Sequence, residues 1–216
     1  MKRLRGFPFR GLYAITDAEL RGDGLARQVA RAVAGGARAI QYRDKGGDAG
    51  RREAEARELL EVCRSQGVPL LINDDPALAA RIGADGVHIG REDGGLAAAR
   101  AILGPQAIIG VSCYDRFELA EQACAAGADY VAFGRFFPSR SKPQAVQADP
   151  ALLRRARREL PCPVVAIGGI TAQNGRPLIE AGADMLAVIR GVFGAPDVTA
   201  AARALSDLFQ PPETPQ

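Results

Sequence analysis

Short apolar runs alternate with longer amphipathic stretches along the whole of the 216-residue chain. The runs fall at 11–16, 39–43, 69–73, 86–89, 107–112, 130–134, 164–168 and 185–189, and each is too short for a buried helix. Flanked by helical stretches, they predict parallel strands buried on both faces. Helical patterns occupy 26–33, 51–64, 76–82, 96–102, 116–125, 150–158, 173–180 and 198–209. One phrase recurs at these junctions: Gly83-Ala84-Asp85-Gly86-Val87-His88-Ile89, then Gly127-Ala128-Asp129-Tyr130-Val131-Ala132-Phe133, then Gly182-Ala183-Asp184-Met185-Leu186-Ala187-Val188, with a weaker copy from Gly36 to Ile40. In each copy a helical stretch ends at a glycine, as helix C-termini prefer, and a strand pattern follows within two residues. Asp75 before Pro76, Asp149 before Pro150, and Asp197 before the last helix are start signals.

Eight β-then-α units predict a single-domain α/β fold, a (β/α)8 TIM barrel over residues 11–209, rather than an open doubly wound sheet. No GxGxxG follows the first strand, which argues against a dinucleotide site. Residues 1–10 read as an N-terminal extension and 210–216 as a disordered tail.

Composition removes other classes. A net charge of +3, with Lys and Arg scattered along the chain, gives no basic block for nucleic acid. No apolar run approaches membrane-span length, and the basic N-terminus lacks the apolar core of a signal peptide, so a cytoplasmic protein with no membrane partner is expected. The four cysteines form no CxxC pair and read as reduced structural thiols; with one histidine, zinc has no ligand set.

In a (β/α)8 barrel the chemistry sits where strands end. The second run ends in Gln41-Tyr42-Arg43-Asp44-Lys45, whose alternation places Gln41, Arg43 and Lys45 together; an amide and two cations suit a phosphate or pyrophosphate. The third ends in Asn73-Asp74-Asp75, and Asp93 follows the fourth. Asp75 is explained as a helix cap, leaving Asp74 and Asp93 as candidate ligands for Mg2+, which takes one or two carboxylates plus substrate phosphates. His88 reads as a hydrogen-bonded structural histidine. Ser112, after the fifth run, has no partner for a nucleophilic role and reads as a hydrogen-bond donor; Cys113 reads as inert. The long segment 134–146 carries Ser139, Ser141 and Lys142, an anion clamp on a loop long enough to act as a lid. Gly168-Gly169 and Ile189-Arg190-Gly191 end the last two runs, where barrels commonly bind phosphate. Taken singly, each signal also fits a solvated loop; together they share one rim.

The ordered set QxRxK, NDD, DGVHxGxED, GVS, DYVAFGxFFPSRSKP, AIGGI and GADMLAVI resembles the thiamine-phosphate synthase family, from about Leu12 to Phe193. That resemblance implies the joining of 4-amino-2-methyl-5-(hydroxymethyl)pyrimidine diphosphate to 4-methyl-5-(2-hydroxyethyl)thiazole phosphate, with Mg2+ as cofactor and pyrophosphate released. It implies that Gln41, Arg43, Lys45 and Asn73 bind the pyrimidine diphosphate, with Ser112 and Lys142. Asp74 and Asp93 would ligate Mg2+. Ser139, Ser141, Gly169 and the Ile189-Arg190 backbone would hold the thiazole phosphate. Arg43, Lys45, Lys142 and Ser112 would be the catalytic set. Three departures from the family pattern stand out: serines take the place of the threonines common in the loop after the sixth run, Arg91 replaces a glutamine, and Arg190 replaces a serine.

A related thiazole tautomerase shares the barrel but carries histidine where this chain has Tyr114. A non-catalytic barrel that binds thiamine precursors and an indole-glycerol-phosphate-type lyase are further alternatives. The sequence leaves oligomeric state open, a homo-oligomer included.

Overall fold

The computed structural model describes residues 10–17, 19, 24–90, 94–138 and 146–211. Residues 1–9 of the expected extension and 212–216 of the expected tail lie outside them. Eight parallel strands close into one barrel in sequence order: β1 Gly11–Ile15, β2 Ala37–Tyr42, β3 Leu70–Asn73, β4 Gly86–Ile89, β5 Ile108–Tyr114, β6 Tyr130–Phe133, β7 Val164–Ile167 and β8 Met185–Val188. The helices are α1 Leu25–Ala34, α2 Ala49–Ser65, α3 Pro76–Ile82, α4 Gly95–Leu103, α5 Phe117–Ala125, α6 Pro150–Glu159, α7 Arg176–Ala181, α8 Arg190–Phe193 and α9 Val198–Ser206. Among the described residues none is long and apolar enough to cross a membrane.

The predicted caps form. Asp75 accepts from the Leu78 N–H, Asp149 from Ala151 and Asp197 from Ala200. The seventh helix starts three residues later than its pattern suggests. Asn174 accepts the Thr171 N–H and folds 171–174 into a turn, so the helix begins only at Arg176.

The recurring Gly-Ala-Asp phrase has a mechanical role. The backbone N–H of Asp85 donates to the Leu70 carbonyl, while its carboxylate accepts the Leu70 N–H at 2.8 Å. Asp129 clamps Ile109 in the same way at 2.7 Å, and Asp184 clamps Val164 at 2.8 Å. Each aspartate thus pins the first turn-side pair of two neighbouring strands, satisfying backbone groups at the barrel's closed end.

Alternation sorts the strand residues. Leu12, Ala14, Ile40, Leu70, Ile72, Val131 and Leu186 pack outward under the helices. Tyr13, Ile15, Ala39, Leu71, Tyr130, Ala132, Val165, Met185 and Ala187 fill the interior. The two tyrosines meet edge to face, with ring centroids 6.0 Å apart. Space for them comes from small neighbours: a Cβ on Gly110 would collide with the Tyr130 ring. Gly110→Ala should therefore destabilise the fold by about 3 kcal/mol, the cost of overpacking a filled core. Urea unfolding measures this, and an unchanged midpoint would show that the interior can yield.

The expectation of four reduced thiols is corrected. Cys124 and Cys162 form a disulfide with Cα atoms 6.0 Å apart. The two lie 38 residues apart in sequence, and only the stacking of successive βα units brings the end of α5 beside the loop entering β7. Cys63 and Cys113 are free and buried, and burial pushes both thiols up to about 12, so both are inert as nucleophiles.

Candidate active site at the C-terminal mouth

All predicted site residues within the described regions stand at strand C-termini or in the segments that follow. Gln41 is the last inward residue of β2, and its Nε2 donates to the Tyr13 hydroxyl at 2.7 Å. The strand ends at Tyr42, so Arg43 and Lys45 are placed by the following loop rather than by alternation. Thr16 anchors that loop by accepting the Arg43 N–H at 2.9 Å. Asp44, read in sequence only as part of a charged run, is its second anchor. It is buried, its Oδ1 accepts the Gly46 N–H at 2.7 Å, and its Oδ2 lies 2.6 Å from Arg51 Nη1. With Asp44 matched to Arg51, neither Arg43 nor Lys45 has an acidic partner among the described residues.

Lys45 opens on a cleft of about 350 Å3, lined also by Asp44, Gly46, Arg52, Asn73, Asp74 and Asp75. Three residues expected to act together, Lys45, Asn73 and Asp74, thus share one charged hollow. Arg52 is an addition that sequence reasoning missed. It pairs with Asp75 at 3.0 Å, while its Nε is buried with no partner among the described residues. The only sequence signal was its place in the first turn of α2, directly after the QxRxK loop.

Asp74 adopts a left-handed backbone, φ 61°, held by its N–H donating to the His88 carbonyl at 2.8 Å. Such a conformation costs a non-glycine residue energy and points to a constraint on where the carboxylate stands. Among the described residues no three His, Cys, Asp or Glu side chains gather into a self-sufficient metal cage. The donor set around Asp74 is oxygen-based and incomplete by itself, which fits a hard ion shared with a substrate diphosphate. Asp93, its expected companion, lies outside the described residues.

Across the mouth, Ser112 is half-buried on β5, and its Oγ lies 2.8 Å from His88 Nε2. His88 faces the interior, 9% exposed, with Nδ1 2.9 Å from the Tyr130 hydroxyl. This is the hydrogen-bonded structural histidine expected. Tyr13 and Tyr130 were not singled out from sequence, since tyrosines in apolar strands read as core. Burial raises both phenols above their ordinary range, so both stay protonated.

After β7, Gly168 and Gly169 have positive φ, and a Cβ on either would strike the backbone or side chains of 135–138 passing over them. Close approach is therefore required by the protein's own chain. The Gly169 carbonyl accepts from Asn174 Nδ2 at 3.0 Å, which fixes the turn. Ile189 caps the four-residue helix α8, and Gly191 packs against the Ile170 carbonyl, so the two segments expected to hold a phosphate are neighbours. The Arg190 side chain is drawn aside, with Nη2 2.7 Å from Glu19, leaving its backbone at the rim. Ser139, Ser141 and Lys142 lie outside the described residues, as does most of the expected lid.

Residues 12–192 match the family model described as thiamine monophosphate synthase. The thiamine-phosphate synthase of Thiobacillus denitrificans is 55% identical over 206 residues, 95% of this chain and 97% of that protein. The thiamine-phosphate synthase of Chromobacterium violaceum is 57% identical over 199 residues, 92% and 96% of the two chains. The solved thiamine phosphate pyrophosphorylase of Pyrococcus furiosus superposes with a TM-score of 0.84 at 34% identity, covering 94% of this chain and 96% of its own.

Proposed function

The chain belongs to the thiamine monophosphate synthase family, and from that membership we propose how its barrel mouth carries out the transfer. It is a thiamine-phosphate synthase, a transferase of thiamine biosynthesis that joins 4-amino-2-methyl-5-(hydroxymethyl)pyrimidine diphosphate to 4-methyl-5-(2-hydroxyethyl)thiazole phosphate and releases pyrophosphate. One observation supports this reading most: Lys45, Asn73 and Asp74 line one cleft, and Lys45 has no acidic partner among the described residues.

The bond that breaks joins the pyrimidine methylene to the diphosphate oxygen; the bond that forms joins that methylene to the thiazole nitrogen. The aminopyrimidine ring stabilises positive charge at the methylene, so departure of the diphosphate needs no protein nucleophile. What it needs is neutralisation of charge on the leaving group, best supplied by groups fixed before reaction. Arg43 and Lys45 fill that role with Lys142, and Asn73 positions the diphosphate. Asp74 with Asp93 would hold Mg2+, whose charge when bound offsets that of the leaving diphosphate. Gln41 and Ser112 bind the pyrimidine. The thiazole phosphate is held by Ser139 and Ser141 with the backbone of Gly169, Ile189 and Arg190, where amide groups approach closely.

Mixing both substrates with Mg2+ should release pyrophosphate in step with thiamine phosphate. Release from the diphosphate alone at the same rate, or conversion of a thiazole isomer without pyrophosphate, would contradict the assignment.

A further inference from the structure

An unbroken line of hydrogen bonds crosses the barrel floor between two of the proposed pyrimidine-binding residues. Gln41 Nε2 donates to the Tyr13 hydroxyl at 2.7 Å. Tyr13 and Tyr130 hydroxyls are 2.9 Å apart, Tyr130 lies 2.9 Å from His88 Nδ1, and His88 Nε2 lies 2.8 Å from Ser112 Oγ. Tyr13 and Tyr130 are deeply buried, at 1% and 0% exposure, and His88 is 9% exposed, so the bonds linking the three are shielded from solvent, while Ser112 opens toward the mouth. Tyr130 is held further by its stacking on the His88 ring, centroids 5.6 Å apart, and by the Gly110 hollow.

A phenol has one proton to give, and a neutral imidazole has one N–H and one acceptor nitrogen. These counts give the line a direction. Tyr13 accepts from Gln41 and donates to Tyr130. Tyr130 then donates to Nδ1 of His88, which places the imidazole proton on Nε2, aimed at the Ser112 oxygen. Ser112, accepting from His88, has its own proton left for the mouth. The same count ties the far end: with Nε2 of Gln41 directed inward, its Oε1 is the atom that faces a donor. Reversing any one member reverses all of them, because a buried unmatched donor or acceptor is costly.

We propose that Tyr13, Tyr130 and His88 are positioning residues, a polarised relay that makes Ser112 a donor and the Gln41 carbonyl an acceptor toward the aminopyrimidine. A ring bearing an exocyclic amino group and acceptor atoms matches that pair; a ring with the opposite pattern does not. The relay thereby sets specificity from the floor, without any member other than its two ends touching substrate. This rests on the reading of the mouth as the pyrimidine diphosphate site.

Because His88 is the only histidine in the chain, its two ring nitrogens can be read directly by nitrogen NMR of the intact protein. The expected signature is a neutral ring protonated at Nε2. A ring protonated at Nδ1, or one averaging between tautomers, overturns the relay whatever the substrate is. Tyr130→Phe keeps the ring that fills the Gly110 hollow but removes the hydroxyl. It should leave His88 with mixed tautomers and raise KM for the pyrimidine diphosphate about tenfold, the loss of one hydrogen bond, with KM for the thiazole phosphate unchanged. Tyr13→Phe should act in the same direction. An Nε2 tautomer that persists in both variants, or equal effects on both KM values, would reduce these residues to packing. A correct tautomer shift with no change in pyrimidine KM would instead move the pyrimidine away from Gln41 and Ser112, overturning the specificity role.

Discussion

Arg43→Ala should lower kcat by about two to three orders of magnitude, the usual effect of removing one fixed group that stabilises charge developing in a transition state. The loop does not depend on the guanidinium: Thr16 accepts the Arg43 N–H, and Asp44 ties the next turn to Gly46 and Arg51. Thermal stability should therefore change little, separating chemistry from folding. Among the described residues the guanidinium has no carboxylate partner, which fits the proposed role of binding the substrate diphosphate. Charge on the diphosphate rises as its bond to the methylene lengthens, and the loss should appear in kcat and kcat/KM together. Arg43→Lys restores the charge without the planar fork and should recover only part of the rate. Steady-state kinetics with each substrate varied measures this. A higher KM with intact kcat would mean that Arg43 holds ground and transition states equally.

Asp74→Gly should move stability and activity in opposite senses. Asp74 holds a left-handed backbone, φ 61°, which glycine adopts without strain. Removing the side chain should leave the fold as stable as before or up to about 1 kcal/mol more stable. Activity should nonetheless fall by about a hundredfold or more, because the carboxylate that would hold Mg2+ beside Lys45 and Asn73 is lost. Denaturant unfolding and turnover are measured on the same preparation. Activity retained in a stabilised variant would show that the strained geometry serves the β3–β4 junction, where the Asp74 N–H meets the His88 carbonyl, rather than the metal.

The barrel was legible because each strand is a short apolar run bounded by glycine and capping residues, and local chemistry fixes such boundaries. The observed strands agree with the patterns to within two residues, from Gly11 to Val188. Three things were not legible. The repeated phrase carries no sign of what its aspartates do, since their clamps on Leu70, Ile109 and Val164 form only once strands pair. The Cys124–Cys162 bond depends on the stacking of neighbouring units, which spacing does not encode. Tyr13 and Tyr130 read as apolar filling, because a strand pattern gives the facing of a side chain but not the partner of its hydroxyl. For the site, QxRxK announced its cations clearly. It did not announce that Asp44, between them, is buried and pairs with Arg51, leaving both cations without an acidic partner among the described residues.

Calorimetric titration with inorganic pyrophosphate, with and without Mg2+, tests the central claim most directly. In the wild-type protein, binding should be strengthened by Mg2+, and in Asp74→Asn it should become indifferent to the ion. Equal dependence on Mg2+ in both proteins, or binding unaffected by Mg2+ in the wild type, would contradict a metal-bound diphosphate at the mouth.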